Sequence, residues 1–512
     1  MKEIARRSFE SLRSRYASDT ELYRLLDQTT SKELARIAAD PWVSDPKDDH
    51  FFWTEMASYI QDGVEPSGLL KKIIARYLDE IRSSFSIRHY QLIVKGVQCV
   101  FVNLLKPKCF GFGAKKERWT LRNKRLHEKF HITGAINTIR SLAEKGTIVL
   151  VPNHTSNWDS VVMGLAMQRL GLPPLSWGAG LNLFNNKGFR YIFSKLGTYK
   201  VDRRKKTIPY LQAQKDYACL MLEWNCHTLF YPGGTRSRSG TIESDLKFGL
   251  LGTPFEAQAK NFKKYGADAK KFFIVPIVLN YHCVLEAQQL IRESDLYEQV
   301  PVVTQDCCHK NLVLTNNMLF KGSEIFINIG VPLDVMGNQV DEKGHSYDSQ
   351  GKKVDLYEQF FHFLEQAETK KRRNDHVNIL GRKIVENYYK INTVLSSHLV
   401  AFVAYELAKK VEGFSMHLAQ VVINREIFML ALAEVYKALC ALYEQEKIAF
   451  TPVLINGQLN AIVVDGLSKL GIYHDKPPLV TAKNGDVLIQ DIWTLLYYHN
   501  RLTGYGLETK IV

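Results

Sequence analysis

Cysteine is sparse and unorganised in this chain. Eight occur in 512 residues, with no Cys-x-x-Cys pair among them. That excludes a zinc ribbon and a disulfide framework, and it fits a reducing compartment. The one close group, Cys307-Cys308-His309, lacks metal-ligand spacing and reads as core or loop. Long apolar runs are lacking too. The uncharged runs at 272–285 and 391–405 fall short of the roughly 20 residues a membrane span needs, and Pro276 interrupts the first. The charged start Met1-Lys2-Glu3 does not have the pattern of a secretory signal. No solenoid-period repeat or low-complexity tract occurs. The acidic residues of the polar stretch 338–353 do not follow calcium-loop spacing, so no metal is assigned. No RNA-binding or helix-turn-helix signature accompanies the basic charge, which argues against specific nucleic-acid binding.

An apolar fraction of 46% and a charged fraction of 23% belong to a folded protein, and 512 residues exceed one ordinary core. The net charge of +14 calls for anionic company: phosphorylated small molecules, an anionic membrane surface or nucleic acid. Residues 1–130 are rich in helix formers. Within them the apolar stretch 91–105 precedes Lys106, Lys108, Lys115, Lys116, Arg118, Arg122, Lys124 and Arg125, with Phe110, Phe112 and Trp119 interleaved. A membrane-contacting segment and a buried helix followed by a solvated linker account for it equally well. Residues 131–335 alternate helix and strand patterns: helix at 134–143, strand at 148–151, helix at 159–170, short helix at 190–196, strand at 198–202, helix at 206–224, and strands at 228–232, 272–279 and 324–330. This predicts an α/β domain with a mixed, largely parallel sheet flanked by helices. Trp177-Gly178-Ala179-Gly180 offers either room for a ligand chain or a tight turn. Residues 336–512 read as a helical region, with helices at 354–366, 377–389, 394–411 and 427–442.

The organising stretch is Ile148-Val149-Leu150-Val151-Pro152-Asn153-His154-Thr155-Ser156-Asn157-Trp158-Asp159. A buried strand runs into Pro152 and Asn153, which end it. His154 sits at the corner, and Asp159 enters the following helix. An imidazole with a carboxylate on its second nitrogen suits a general base. Downstream, Val201-Asp202-Arg203-Arg204 places a basic pair after a strand. Tyr231-Pro232-Gly233-Gly234-Thr235-Arg236-Ser237-Arg238-Ser239-Gly240 is a Gly-rich turn with two arginines. Backbone N–H groups in such a turn and bidentate guanidinium groups both suit phosphate oxygens. Ile274-Val275-Pro276-Ile277-Val278 is an apolar strand with a central proline.

These four ordered blocks resemble the glycerolipid acyltransferases, the glycerol-3-phosphate, dihydroxyacetone-phosphate and lysophosphatidate acyltransferases. The likeness covers about residues 130 to 335, and the C-terminal region makes it closest to the glycerol-3-phosphate members. The resemblance implies acyl transfer from a thioester on coenzyme A or acyl carrier protein to a glycerol 3-phosphate hydroxyl. His154 is then the base and Asp159 its orienting partner, and no acyl-enzyme forms. Arg203, Arg204, Gly234, Thr235, Arg236, Ser237 and Arg238 hold the acceptor phosphate. Asn153, Trp177, Gly178 and Pro276 support the acyl and acceptor pockets. Backbone N–H groups at the start of the Asp159 helix are the candidate oxyanion donors. The resemblance implies no metal and no cofactor beyond acyl-coenzyme A as co-substrate, and places the protein peripherally on the cytoplasmic face of a membrane. One departure stands out. Many members carry Glu where this chain has Gly233, so that carboxylate's job is either absent or moved. Its absence is the one feature that favours a silent acyl-coenzyme A- or lipid-binding protein.

Overall fold

In the computed structural model the described residues are 1–104, 129–294, 324–365, 370–416 and 420–511. The basic run at 106–125 and Cys307-Cys308-His309 lie outside them.

A seven-stranded sheet carries the centre of the molecule, in the order β1-β7-β6-β2-β5-β3-β4. The strands are β1 (Phe130–Gly134), β2 (Thr147–Pro152), β3 (Ser176–Gly180), β4 (Thr198–Val201), β5 (Thr228–Leu229), β6 (Phe272–Tyr281) and β7 (Ile325–Ile329). Every neighbouring pair is parallel except β6 with β7. The mixed, largely parallel sheet expected from the sequence is therefore the observed one. Both faces are covered, and β2 and β6 are buried without a break and mostly apolar. Their side chains alternate between two cores. Ile148, Leu150, Phe273, Val275, Ile277 and Leu279 face one, and Val149, Val151, Phe272, Ile274 and Val278 face the other. Pro276 is buried in β6 opposite Val151. Its carbonyl accepts the Gly330 N–H at 2.8 Å, and the N–H it lacks falls on that same edge, where β7 has ended.

The sequence patterns locate most elements within a few residues, with two corrections. The predicted helix at 134–143 begins with strand β1, and its helical part is Ile136–Lys145. Trp177 to Gly180 form β3 rather than a turn. A Cβ on Gly178 would lie 2.9 Å from the Tyr199 ring, so the space beside it is filled by protein. Trp177 packs edge-on to Phe193 at 5.6 Å.

The N-terminal region is helical, with helices Lys2–Arg15, Asp19–Ala39, Asp49–Gln61, Pro66–Ile81 and Ile87–Leu104. Ser18 and Glu21 form a capping box that starts the second, and Pro66 occupies the first turn of the fourth. The first four pack through one core onto helix Ile208–Glu223 and β4. Among the described residues no helix is long and apolar enough to cross a membrane.

The C-terminal region is mostly helical, with two three-stranded sheets and one strand pair, all of short strands, among the described residues. Its helix Ser396–Ala408 is buried along its whole length, in the same core as one face of the sheet. The division at 335 therefore does not separate two hydrophobic cores. Gly240, in the loop after β5, shows how tightly the regions meet. Its φ is +82°, and a Cβ there would lie 2.0 Å from the Tyr497 carbonyl oxygen. Gly63 has a similar φ of +70° but open space around it. Gly63→Ala is expected to cost about 1–2 kcal/mol, the strain of a left-handed side chain alone. Gly240→Ala adds a backbone clash and should cost at least about 2 kcal/mol more, by analogy with overpacking. Thermal unfolding of the two variants side by side checks this.

Candidate active site

Parallel β2, β4, β5 and β6 deliver their carboxyl ends to one rim of the sheet, where ligands bind in open α/β folds. β2 delivers His154, β4 Arg203, β5 the turn Tyr231 to Gly240, and β6 Tyr281. The separate sequence blocks meet for this reason.

His154 Nδ1 lies 2.8 Å from Asp159 Oδ2. Asp159 has no exposed surface. Its Oδ2 also accepts the backbone N–H groups of Thr155 (2.6 Å) and Ser156 (2.9 Å), and its Oδ1 accepts the Tyr281 hydroxyl at 2.6 Å. A carboxylate so supplied with donors stays an acceptor, so Nδ1 carries the imidazole proton and Nε2 is left as the basic nitrogen. The ring is stacked on Tyr231, with centroids 3.9 Å apart and planes at 17°, and keeps 15% of its side chain exposed. Tyr231 is held in turn by Ser160, with hydroxyls 3.0 Å apart. Asn153 is buried and locks the strand end. Its Oδ1 accepts Leu279 N–H at 2.7 Å, and its Nδ2 donates to the Leu279 carbonyl and to Thr155. Asn153 thus shapes the corner rather than lining a pocket.

The N–H groups at the helix start are not free oxyanion donors. Those of Thr155 and Ser156 go to Asp159, and that of Asn157 goes to Glu286 Oε1 at 3.0 Å.

Of the arginines, Arg236 lies beside this corner. Its Nη1 is buried without a hydrogen bond, 3.7 Å from Glu286, which also accepts the Ser156 hydroxyl. Arg203 has no hydrogen bond or ion pair among the described residues. Crowding around its head group and the like charge of Arg236 lower its pKa. Arg203 is exposed to solvent, and its charge is felt by Arg236, whose buried Nη1 lacks a hydrogen bond; the two guanidinium groups suit an anion. Arg238 is exposed and donates only to the Glu293 carbonyl, at 3.2 Å. Arg204 is committed elsewhere. It pairs with Asp202 and Asp45, donates to the Asp40 carbonyl and lies 3.9 Å over the Trp42 ring. It clamps the N-terminal region to the end of β4 and has little left for a phosphate.

In the Gly turn, Gly234 has φ +78° and donates to the Tyr231 carbonyl at 3.0 Å. Thr235 is exposed. Ser237 N–H donates to the His154 carbonyl at 2.8 Å, and its hydroxyl donates to the Thr241 carbonyl.

Four participants carry no local signal in the sequence. Glu286 and Tyr281 brace the His154–Asp159 corner. Lys247 lies along the turn, with Nζ 3.2 Å from where a Gly234 Cβ would be. Buried Arg501, from the C-terminal region, donates to Asn280 and the Leu279 carbonyl. Glu243 is a fifth. Its Oε1 accepts the His154 backbone N–H at 2.9 Å. Burial, opposed by the N–H bond from His154 and the charge of Arg501, pushes its carboxyl up to about 8. Among the described residues no group of metal-ligating side chains gathers at this rim or elsewhere.

Residues 131–280 match the Acyltransferase family model. The chain carries an acyltransferase-family domain. Two glycerol-3-phosphate acyltransferases are similar to it. That of Pseudoalteromonas translucida is 29% identical over 30% of this chain and 18% of its own length. That of Hamiltonella defensa is 26% identical over 33% and 20%. The match thus spans about a fifth of these curated relatives. A crystal structure of the 1-acyl-sn-glycerophosphate acyltransferase of Thermotoga maritima aligns with a TM-score of 0.25 and 14% identity, over 59% of this chain and 87% of that one.

The pKa of Glu243 sets a stability trend. A carboxyl raised from the ordinary 4.5 to about 8 holds its proton longer folded than unfolded. The stability this confers is fully present below about 4.5 and is lost as pH rises through about 8. Glu243→Gln does not titrate. Its melting temperature relative to wild type should therefore rise steadily between about pH 5 and about pH 9. Paired differential scanning calorimetry over that range measures it.

Proposed function

We propose that this chain is a glycerol-3-phosphate O-acyltransferase of phospholipid synthesis, taking its acyl group from a thioester on coenzyme A or acyl carrier protein. The observation that carries the reading is the juxtaposition of a His154–Asp159 pair with the Arg203–Arg236 pair on one rim of a sheet in an acyltransferase-family domain. The two glycerol-3-phosphate acyltransferases among its relatives support the choice of acceptor.

The chemistry follows from the geometry. His154 Nε2 takes the proton of the acceptor hydroxyl, and Asp159 stabilises the imidazolium through Nδ1–H. The oxygen attacks the thioester carbonyl, a C–O bond forms, the C–S bond breaks, and the proton on His154 passes to the leaving thiolate. Arg203 and Arg236 receive the phosphate of the acceptor and set its hydroxyl against His154. The reading as a silent lipid-binding protein leaned on the missing carboxylate at Gly233. Glu243 places a carboxyl beside that residue, which weakens it.

The protein is peripheral in this reading, on the cytoplasmic face of a membrane. Phe85, just before helix Ile87–Leu104, and Ile87 and Leu92 in its first two turns are exposed, and the basic run follows that helix in sequence. Binding to anionic liposomes should fall with salt, and should weaken when Lys115, Lys116 and Arg118 are neutralised. Sedimentation with vesicles that is unchanged by either places the contact elsewhere.

The deciding assay offers palmitoyl-coenzyme A with labelled glycerol 3-phosphate, and in parallel lysophosphatidate and dihydroxyacetone phosphate. Transfer to glycerol 3-phosphate should drop by about 100- to 10,000-fold in His154→Ala. Arg203→Ala and Arg236→Ala should raise the acceptor KM about tenfold or more, the loss of a charge-assisted contact. Arg204→Ala should instead lower thermal stability by about 1–3 kcal/mol, because Asp202 is left without its cation and Asp45 keeps only Arg36. Near-normal turnover in His154→Ala would sink the mechanism. Transfer to another acceptor alone would keep the chemistry and change the substrate.

A further inference from the structure

We propose that Glu243 is a positioning residue for His154, supplying from the far side of the Gly turn the carboxyl group that residue 233 lacks. The proposal rests on the acyltransferase reading for its kinetic consequence, but its geometry does not depend on that reading.

The last ladder bond of β2 toward β6 is from Asn153 N–H to the Ile277 carbonyl, at 3.1 Å. The next N–H, that of His154, is past the strand and has no sheet acceptor. Glu243 Oε1 receives it at 2.9 Å. The same carboxyl lies against the backbone of Gly233, whose N–H favours its ionised form. One side chain thus joins the corner that carries the base to the turn that carries Arg236. Residue 233 is glycine for a steric reason. A Cβ there would lie 2.7 Å from the Glu243 carboxyl carbon, and 2.8 and 3.0 Å from its two oxygens. The space that a side chain at 233 would enter is already held by a carboxyl group reached from the other direction.

The segment bearing Glu243 is anchored at both ends. Thr241 is held by Ser237 and Ser239, Ile242 is buried in the core, and Lys247 N–H donates to the Pro232 carbonyl at 2.8 Å. Glu243 Oε2 is buried without a hydrogen-bond partner among the described residues. A buried carboxyl that makes only backbone bonds on one oxygen fixes chain position rather than exchanging with solvent. Losing it leaves the His154 N–H unmet and lets the imidazole drift, and a shift of about 1 Å at a catalytic group costs about 100-fold in rate.

The test compares Glu243→Ala, Glu243→Gln, Gly233→Glu and the exchange variant Gly233→Glu/Glu243→Ala. Two readouts are used on full-length protein: steady-state acyl transfer, and the rate at which diethyl pyrocarbonate modifies His154, followed on its peptide by mass spectrometry. Glu243→Ala should lower kcat about 10- to 100-fold with acceptor KM within about threefold. It should also raise the His154 modification rate. Glu243→Gln keeps the oxygen acceptor and should retain most of both properties. Gly233→Glu alone should be impaired, because two carboxyl groups compete for one space. The exchange variant should recover at least about tenfold of the lost kcat and return the modification rate toward wild type. If Glu243→Ala keeps wild-type kcat and modification rate, or if the exchange variant recovers neither, the proposal is overturned. Should Glu243→Ala fail to fold, the Gln and exchange variants carry the same comparison. A wild-type protein inactive with every acceptor would remove the functional reading, while the modification rates would still decide what Glu243 does to His154.

Discussion

The corner between β2 and its following helix belongs to neither element, so its backbone N–H groups have no ladder or helical acceptor. Buried backbone donors must be paired. Here carboxyl groups pair four of them in a row. His154 N–H goes to Glu243, those of Thr155 and Ser156 to Asp159, and that of Asn157 to Glu286. Three acidic side chains from three places in the chain hold four consecutive residues. Asp159 is the central one, because the same carboxyl also receives the His154 ring and the Tyr281 hydroxyl. The tautomer of the imidazole, the direction of the corner and the link to β6 all depend on it.

Three carboxyl groups close together create an electrostatic problem that the surroundings answer in two ways. Glu243 is pushed up to about 8, so near neutrality it contributes no full negative charge beside Asp159. Glu286 faces Arg236, and Arg501 lies where its charge favours both Glu243 and Asp159. The result is a rim that is acidic beneath the base and cationic around Arg203 and Arg236. In the proposed reaction a phosphorylated acceptor would meet the cations, with its hydroxyl offered to His154. The Arg236–Glu286 separation of 3.7 Å, without a hydrogen bond, leaves the guanidinium donors available to a better acceptor.

What the sequence made legible is what is local. His154 and Asp159 are five residues apart at a strand end, and the Gly turn announces itself by composition. The central strands β2 and β6 were legible because they are buried on both faces and rich in apolar residues, whereas the partly exposed β1 and β3 were not. Asp45 is what turns Arg204 from a phosphate ligand into a clamp, and it lies in the N-terminal region, 159 positions away. Gly178 is small to admit Tyr199, a neighbour across β4 that no pattern around Trp177 announces. Glu243, Glu286, Tyr281 and Arg501 act across turns, strands or the whole catalytic domain. One signal did exist. A glycine at a position where relatives carry an acid implies either a lost function or a carboxylate arriving from elsewhere, and a Glu nine residues after Gly234 was a candidate.

The C-terminal region belongs to the rim for a physical reason. Sheet and helices 131–280 hold His154 and Asp159, but at the end of β6 they leave the Asn280 side-chain oxygen without a donor and give the Leu279 carbonyl one, Asn153 at 3.3 Å. Arg501 donates to both. It is itself fully enclosed, and burial lowers its pKa; the anionic groups below the rim oppose that shift. A buried guanidinium is costly without paired acceptors and nearby negative charge. The charge of Asp159 favours the charged form of Arg501 in this setting. Ser239 reinforces the same joint, since its carbonyl accepts from Asn500 at 2.9 Å. Together with Gly240 against Tyr497, this fixes the loop after β5 between the base and the last helices. An acyltransferase-family domain in this chain is thus completed by residues some 220 positions beyond its last strand contacts, and the shape of its acceptor rim follows from how the C-terminal helices close on it.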